Sequence, residues 1–370
     1  AGSIEFWPSL RLNWHEEAGG PQPGLVSLAR LWRAGDTLPG PAALRFLANY
    51  VPRFRDGEGL KEVYHDFVSE QGTAEAGDAK TFEHLAADAL EQRGSEYRGE
   101  LLLAVLKADV DHLGAIFGRG VADPSLGRYA ALSRMMDFFF TGRLPELLRK
   151  EFPDTYTVYA GGDDLLLMGP WRQMLKLALE LREEFAAWAG DNPQVTISAG
   201  LELVKPNQPL TRSAGGAEER LQRAKDAGRN RVCAIDEEPR PWSVLEKQLA
   251  DAEQLHQYLA TGSLSQAFLY RMMVLDSSRR NVESRKTASG ARRAIPMSDA
   301  AWRARWGYQL TRNILKKKTD DPQARQMAAF LNGLMGLDAD LQKQATETAP
   351  PAKAALTIAL YRNRKPTQRR

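Results

Sequence analysis

The run Leu101-Leu-Leu-Ala-Val-Leu-Lys-Ala108, apolar at seven of its eight positions and leading into Asp109-Val-Asp111, constrains the fold more than any other feature of this chain. A strand that is hydrophobic on both faces belongs inside a sheet covered on both sides. It predicts a central strand that delivers a carboxylate at its C-terminal end. A partner unit follows: Thr155-Tyr-Thr-Val-Tyr-Ala160 and Leu165-Leu-Leu-Met168 flank Gly161-Gly-Asp-Asp164, which predicts a β-hairpin with an acidic pair at the tip. Helical spacing of apolar residues covers 126–150 (Leu132, Met135, Met136, Phe139, Leu144, Leu147, Leu148) and Trp171 to Trp188. Further strands are predicted over Gln194 to Leu203 and Arg231 to Ile235, with a helix end at Arg220 to Ala227 between them. The order is β-α-β-β-α-β, the ferredoxin-like split unit, with an added helix and strand.

The flanks differ in character. Ser9 to Trp14 reads as extended; a Gly/Pro-rich stretch follows, then a short helix ending near Arg53. Residues Ser69 to Lys80 lack apolar periodicity and are expected to form a mobile loop before a helix over Thr81 to Gln92. Beyond Pro241 strand signals stop, and 243–370 read as helical with a loop from Ser277 to Pro296. The expectation is an α+β chain in three parts: 1–95 ahead of the sheet, 96–240 as a ferredoxin-like (βαββαβ) domain, and 241–370 as a basic α-helical bundle domain.

Composition narrows the setting. The chain has 370 residues, 43% of them hydrophobic and 26% charged, the balance of a globular protein. No stretch of 18 apolar residues occurs, so no membrane partner is expected. One cysteine, Cys233, permits neither an internal disulfide nor a cysteine-rich zinc site, which fits a reducing, cytoplasmic setting. The net charge of +3 hides an asymmetry, because the last hundred residues carry 21 Lys/Arg against 8 Asp/Glu and so leave the remainder at −10. A basic C-terminal part favours nucleic acid or an acidic protein, or is a solvated helical surface. Trp302-Arg-Ala-Arg-Trp306 and Lys316-Lys-Lys318 are its candidate phosphate contacts, with a helix C-terminal preference as the alternative for the lysines.

Nucleotidyl transfer with two divalent ions needs carboxylates fixed on a rigid scaffold. A strand ending at Asp109 beside a hairpin tip bearing Asp163 and Asp164 supplies them, with Asp111 expected to be aimed away from Asp109. The paired glycines Gly161 and Gly162 allow a tight turn and close approach of phosphate; a plain surface turn uses the same residues. Lys225 and Arg229, four apart, are placed on one face at a helix end where they would meet the β- and γ-phosphates, or simply complement the helix dipole.

Four segments in order, Asp109-Val-Asp-His-Leu113, Gly161-Gly-Asp-Asp164, Val195-Thr-Ile-Ser-Ala-Gly200 and Ala224-Lys-Asp-Ala-Gly-Arg-Asn-Arg-Val232, resemble the nucleotide cyclase palm of the GGDEF kind. Phe117 stands where diguanylate cyclases have their guanine-reading Asn, eight residues after Asp109, and Leu165 replaces the Phe after the acidic pair. Lys107-Ala-Asp-Val-Asp-His-Leu-Gly114, Leu132-Ser-Arg134 with Phe138-Phe-Phe140, Asn49-Tyr-Val-Pro52, Thr81-Phe-Glu-His-Leu-Ala86 and Leu360-Tyr-Arg-Asn-Arg364 are similar to the large subunit of type III CRISPR effector complexes, particularly the III-A (Csm) form.

That resemblance implies a cyclic oligoadenylate synthase acting on ATP when its complex binds target RNA, with 96–240 as its nucleotide cyclase palm and 1–95 as the end of a first palm plus a linker segment. It implies Asp109, Asp163 and Asp164 as ligands of Mg²⁺ or Mn²⁺, His112 and Leu113 as backbone phosphate contacts, Lys225 and Arg229 as triphosphate counter-charges, and Ser133 as an adenine or ribose contact, a helix-packing serine being the alternative for Ser133. It implies as partners the other complex subunits, guide RNA and target RNA, with the basic helices beside the small subunits. Only one acidic palm set is present, and His65-Asp66 reads as incidental rather than as a nuclease motif. The chain is therefore expected to be a fragment or one half of a split protein, with a partner chain or segment supplying the first palm. The competing readings are a GGDEF-like diguanylate or adenylate cyclase of another signalling system, and a non-catalytic nucleotide-binding scaffold.

Overall fold

The computed structural model describes residues 2–7, 10–14, 30–31, 44–45, 50–69, 74–121, 123, 125–287, 295–315, 321–337 and 352–366. Its central strand is β1 (Leu103–Val110), and the hairpin strands are β2 (Tyr156–Gly161) and β3 (Asp164–Pro170). β4 (Ile197–Val204), β5 (Arg231–Cys233) and β6 (Pro239–Pro241) complete a sheet of order β6-β5-β4-β1-β3-β2. β1 is antiparallel to both of its neighbours, β3 and β4, while β5 runs parallel to β4. The inner order β4-β1-β3-β2 is that of the ferredoxin-like unit, so the expected palm is present, with β5 and β6 as its extension.

Helices α1 (Glu62–Phe67) and α2 (Phe82–Ala87) precede the sheet. α3 (Leu113–Arg119), α4 (Leu126–Phe138), a π-helical turn over Phe139–Arg143 and α5 (Leu144–Glu151) join β1 to β2. α6 (Trp171–Trp188) joins β3 to β4, and α7 (Leu210–Asp226) joins β4 to β5. The unbroken apolar run of β1 now has its explanation. Ala104, Leu106 and Ala108 pack with Phe139, Leu148 and Trp171 on one face, while Leu103 and Val105 pack with Leu85 and Ala217 on the other. α7 can lie this close because Gly200 has no side chain: a Cβ there would meet Ala217 O and Leu221 N at 2.3 Å.

Past Pro241 come α8 (Trp242–Ala260), α9 (Gln266–Thr287), α10 (Met297–Ala300) and α11 (Trp302–Leu310), the last continued by a π-helical turn over Thr311–Leu315. α12 (Pro322–Leu334) and α13 (Lys353–Asn363) follow. These helices share one continuous core with the first face of the palm, through Trp242, Leu255, Leu356 and Leu360. The Leu360-Tyr-Arg-Asn-Arg364 segment is a polar clasp on the same boundary. Arg362 pairs with Glu253 at 2.5 Å and Glu91 at 3.2 Å, Asn363 accepts from Arg93 at 3.0 Å, and Arg364 pairs with Glu100 at 2.6 Å. No described helix is long and apolar enough to cross a membrane.

Several local expectations change. Residues 50–55 are extended rather than a helix end, and Tyr50 O accepts Thr157 N–H at 2.8 Å along the edge of β2. The predicted helix over Thr81 to Gln92 stops at Ala87, and Glu91–Arg93 pairs with Glu96–Arg98 in a hairpin turned at Gly94, whose φ is +60°. Lys80 does not end a loose loop: its side chain is fully buried and its ammonium lies 2.7–2.9 Å from Glu58, Asp88 and Asp154. The predicted loop from Ser277 is helical through Thr287, because Arg279 lies buried against Asp276 and Glu283 one turn either side. Trp302 and Trp306 are core residues at 5% and 2% exposure, so they do not present their rings for stacking on bases. Lys316-Lys-Lys318 lies outside the described residues.

Candidate active site

The acidic residues gather where β1 meets the hairpin. Asp109 and Asp164 are directly opposed across the β1–β3 ladder, and the Asp163 carbonyl accepts Val110 N–H at 3.0 Å. Gly162 has φ +68°, a left-handed conformation cheap only for glycine, and Asp137 of α4 accepts its N–H at 3.2 Å. Asp109, Lys107 and Leu103 alternate onto the α2/α7 face, so the carboxylates open on the side where α7 ends.

Lys225, in the last turn of α7, places its ammonium 2.6 Å from Asp109 Oδ1. Burial, above all, raises the Asp109 pKa; Lys225 opposes this, and the neighbouring Asp163 and Asp164 charges add to it. Three carboxylates therefore feel one another, and one cation partly neutralises them. Arg229 is not on the same helical face as Lys225. α7 ends at Asp226, and Gly228, Arg229 and Asn230 take positive φ values of 117°, 62° and 47°. The four-residue spacing carries no helical meaning past that end. The turn is pinned instead by Asp111, which accepts Asn230 N–H at 2.9 Å.

Asp111 itself is fully buried, and it also accepts the Ser198 and Thr196 hydroxyls at 2.7 and 2.8 Å. Strand alternation gives no reason for Asp111 to point away from Asp109, since residues two apart on a strand share a face, and its partner Ser198 lies directly opposite Asp109 on the β1–β4 ladder. β1 ends at Val110 and the chain turns, so Asp111 serves the scaffold.

His112 follows with φ +57° and caps α3, which places the His112 and Leu113 backbone three and four residues past Asp109. Ser133 is exposed on α4, one turn before Asp137, and so on the helix face that meets the hairpin tip. His65 and Asp66 are both exposed on α1. The sequence did not single out Asp137, nor Tyr159, whose hydroxyl donates to Asp164 Oδ2 at 3.0 Å. Burial and the Asp164 carboxylate hold the Tyr159 phenol above the ordinary tyrosine range against the pull of Lys107, so it stays a donor. An Asp facing a hairpin glycine and a Tyr before the tip are the signals that would have found them.

All-oxygen donors suit Mg²⁺ or Mn²⁺, and Asp109, Asp163 and Asp164 provide them on adjoining backbone. They are not gathered into a tight cluster. Among the described residues, the one acidic trio whose ligand atoms all lie within 4.8 Å of one another is Glu58, Asp88 and Asp154. That trio could hold a cation, and Lys80 already supplies it.

Residues 102–233, which carry this whole arrangement, match the family described as Cas10/Cmr2, second palm domain. A Cas10/Csm1 of subtype III-A from Methanocaldococcus jannaschii is 37% identical over 163 residues, 41% of this chain and 20% of that protein. The Cas10/Csm1 of Mycobacterium tuberculosis is 27% identical over 286 residues, 71% of this chain and 32% of that protein. Both are described as CRISPR single-strand-specific deoxyribonucleases. A solved Csm1-Csm4 cassette in complex with pppApApA superimposes with a TM-score of 0.57 at 22% identity, covering 87% of this chain and 41% of that one. The Csm1-Csm4 subcomplex of the type III-A Csm interference complex gives 0.52 at 23% identity, covering 91% and 43%. The chain thus spans about a fifth to two fifths of the length of these relatives. The palm at residues 102–233 thus matches the Cas10/Cmr2 second palm domain, and the chain is similar to Cas10/Csm1 proteins of subtype III-A.

Proposed function

We propose that this chain is the ATP-using palm of a type III-A effector large subunit, which joins adenylates into cyclic oligoadenylate when its cytoplasmic complex engages target RNA. The observation that carries the reading is the opposition of Asp109 and Asp164 on one ladder, with Lys225 at the same corner. A carboxylate pair fixed on neighbouring strands beside a cation is what a triphosphate and its metal ions require. Solved Csm1-Csm4 cassettes with ATP, pppApApA and cA4 agree with adenine nucleotides as the ligand class.

In the reaction a ribose hydroxyl oxygen attacks the α-phosphorus of a neighbouring ATP. The new P–O bond forms as the bond to the bridging α–β oxygen breaks; pyrophosphate leaves with that electron pair, and the hydroxyl proton passes to solvent. Asp109, Asp163 and Asp164 would hold the divalent ions, which supply Lewis-acid charge to hydroxyl and phosphates. Lys225 leaves Asp109 to meet the phosphates, and Arg229 in its left-handed turn extends the positive rim. The backbone at Gly161, Gly162, His112 and Leu113 approaches the triphosphate, and Ser133 faces the nucleoside. Asp137 keeps the tip turn in place through Gly162 N–H.

Joining two nucleotides needs a donor and an acceptor site, and this palm supplies one. A second palm is the partner required, alongside a Csm4-like subunit and the guide and target RNA of the complex. The test is ATP turnover by the chain with Mn²⁺, alone and with the first palm added. Weak or no synthesis alone and strong synthesis with the partner supports the reading; equal rates without any partner refutes the shared site.

A further inference from the structure

Below the acidic corner, on the same sheet face, lies a second polar tier that the palm reading leaves unused. A regular strand would not create it. Tyr156 lies opposite Met168 and Thr157 opposite Leu167, but Tyr159, not Val158, lies opposite Leu166. Val158 is thus the extra residue of a β-bulge. Uninterrupted alternation would send Tyr159 to the opposite face from Tyr156; the bulge returns it to the face of Leu166, Met168 and Asp164. There its hydroxyl donates to Asp164 Oδ2 at 3.0 Å. Lys107, two residues before Asp109 on β1, brings its ammonium to 5.8 Å from the Tyr159 ring centroid and pairs with Glu218 of α7. A phenol has one proton to give and a lone pair to receive, so it can stand between a cation and a carboxylate.

We propose that Tyr159 is a positioning residue for the metal site, and that the chain Glu218, Lys107, Tyr159, Asp164 orients the Asp164 carboxylate for a divalent cation. The inference rests on the assignment of Asp109, Asp163 and Asp164 as the metal ligands. Four elements contribute: β1, β2, β3 and α7 each supply one member. The bulge is the device that lets β2 take part. The Tyr159 bond fixes one Asp164 oxygen and leaves the other for the ion. Outer partners of this kind change metal affinity by about 10- to 100-fold when removed.

The experiment is a titration of the full chain with Mn²⁺ alone, reading free ion by electron paramagnetic resonance, so that no turnover is needed. Tyr159→Phe should weaken Mn²⁺ binding about tenfold or more while leaving the melting temperature in EDTA unchanged. Lys107→Met, which loosens the phenol without touching Asp164, should weaken it in the same direction. A Tyr159→Phe affinity within twofold of the parent overturns the inference even though the metal site stands. If the parent chain shows no Mn²⁺ binding that Asp163→Ala with Asp164→Ala removes, the ligand assignment falls and this inference with it.

Discussion

Lys80→Met is the substitution whose consequence the structure specifies best. The ammonium has no solvent exposure and makes three charge-assisted bonds, at 2.9 Å to Glu58, 2.8 Å to Asp88 and 2.7 Å to Asp154. Glu58 lies in the turn before α1, Asp88 follows α2, and Asp154 leads into β2, so one cation ties the segment before the palm to the hairpin. Removing one partner of a buried pair costs about 3–5 kcal/mol, because the remaining charge is left uncompensated. Here three carboxylates lose their shared cation and keep only half-exposed ones, Lys61 at 2.7 Å from Glu58 and 3.7 Å from Asp88 and Arg55 at 3.9 Å from Asp154, which places the loss within that range near neutral pH. Burial already raises the Asp88 pKa against the pull of Lys80, so without Lys80 it takes up a proton more readily. A carboxyl whose folded pKa is raised destabilises the fold above its unfolded pKa, so the penalty should grow as pH rises from about 4 and shrink in acid. Urea unfolding followed by circular dichroism in EDTA, at pH 5 and pH 8, measures both effects. Because these oxygens all lie within 4.8 Å, Ca²⁺ or Mn²⁺ should restore part of the loss in the variant and do little for the parent at this location. A loss below about 1 kcal/mol at pH 8 would show that Lys80 acts as a solvated surface pair does and not as a buried tie.

Other expectations are narrower. Gly200→Ala places a methyl group against the α7 backbone, and should cost about 1–3 kcal/mol and depress synthesis by lifting Lys225 and Glu218 off the sheet; unchanged stability would contradict the packing. Lys225→Met removes the cation from Asp109 and should tighten Mn²⁺ in the absence of nucleotide by up to about fivefold, while raising the KM for ATP; weaker Mn²⁺ binding would argue against competition. His256 sits in the α13 clasp with its pKa lowered to about 4 by burial and Arg362. The unfolded imidazole binds its proton first, so this contribution is full above about pH 6.5 and is lost as pH falls toward 4; His256→Gln should flatten that part of the stability profile in thermal melts.

Sequence made the palm legible because its signals are local. A two-faced apolar strand, a Gly-Gly-Asp-Asp tip and a long amphipathic helix each carry their own periodicity, and Trp171–Trp188 ends where its spacing ends. The failures share a different cause. Arg229 looked helical by spacing alone, and only the left-handed values from Gly228 to Asn230 show that α7 has stopped. Lys80 sat in a polar stretch with no periodicity, yet its burial depends on Asp154, 74 residues away. Tyr159 was hidden by a bulge, a register event between two strands that composition does not announce. The Trp302 and Trp306 rings looked like a nucleic-acid feature because basic residues flank them, whereas four-residue spacing on one helix face puts both in the core.

On the proposed function, Asp163 and Asp164 form with Asp109 an ATP-specific nucleotidyl transfer site. The direct measurement is mass analysis of products after the chain, assembled with target-bound effector complex, is given labelled ATP or GTP, compared with Asp163→Ala plus Asp164→Ala. Cyclic oligoadenylate from ATP, little product from GTP, and none from the double variant are expected. Product from ATP that survives the double substitution would contradict that function.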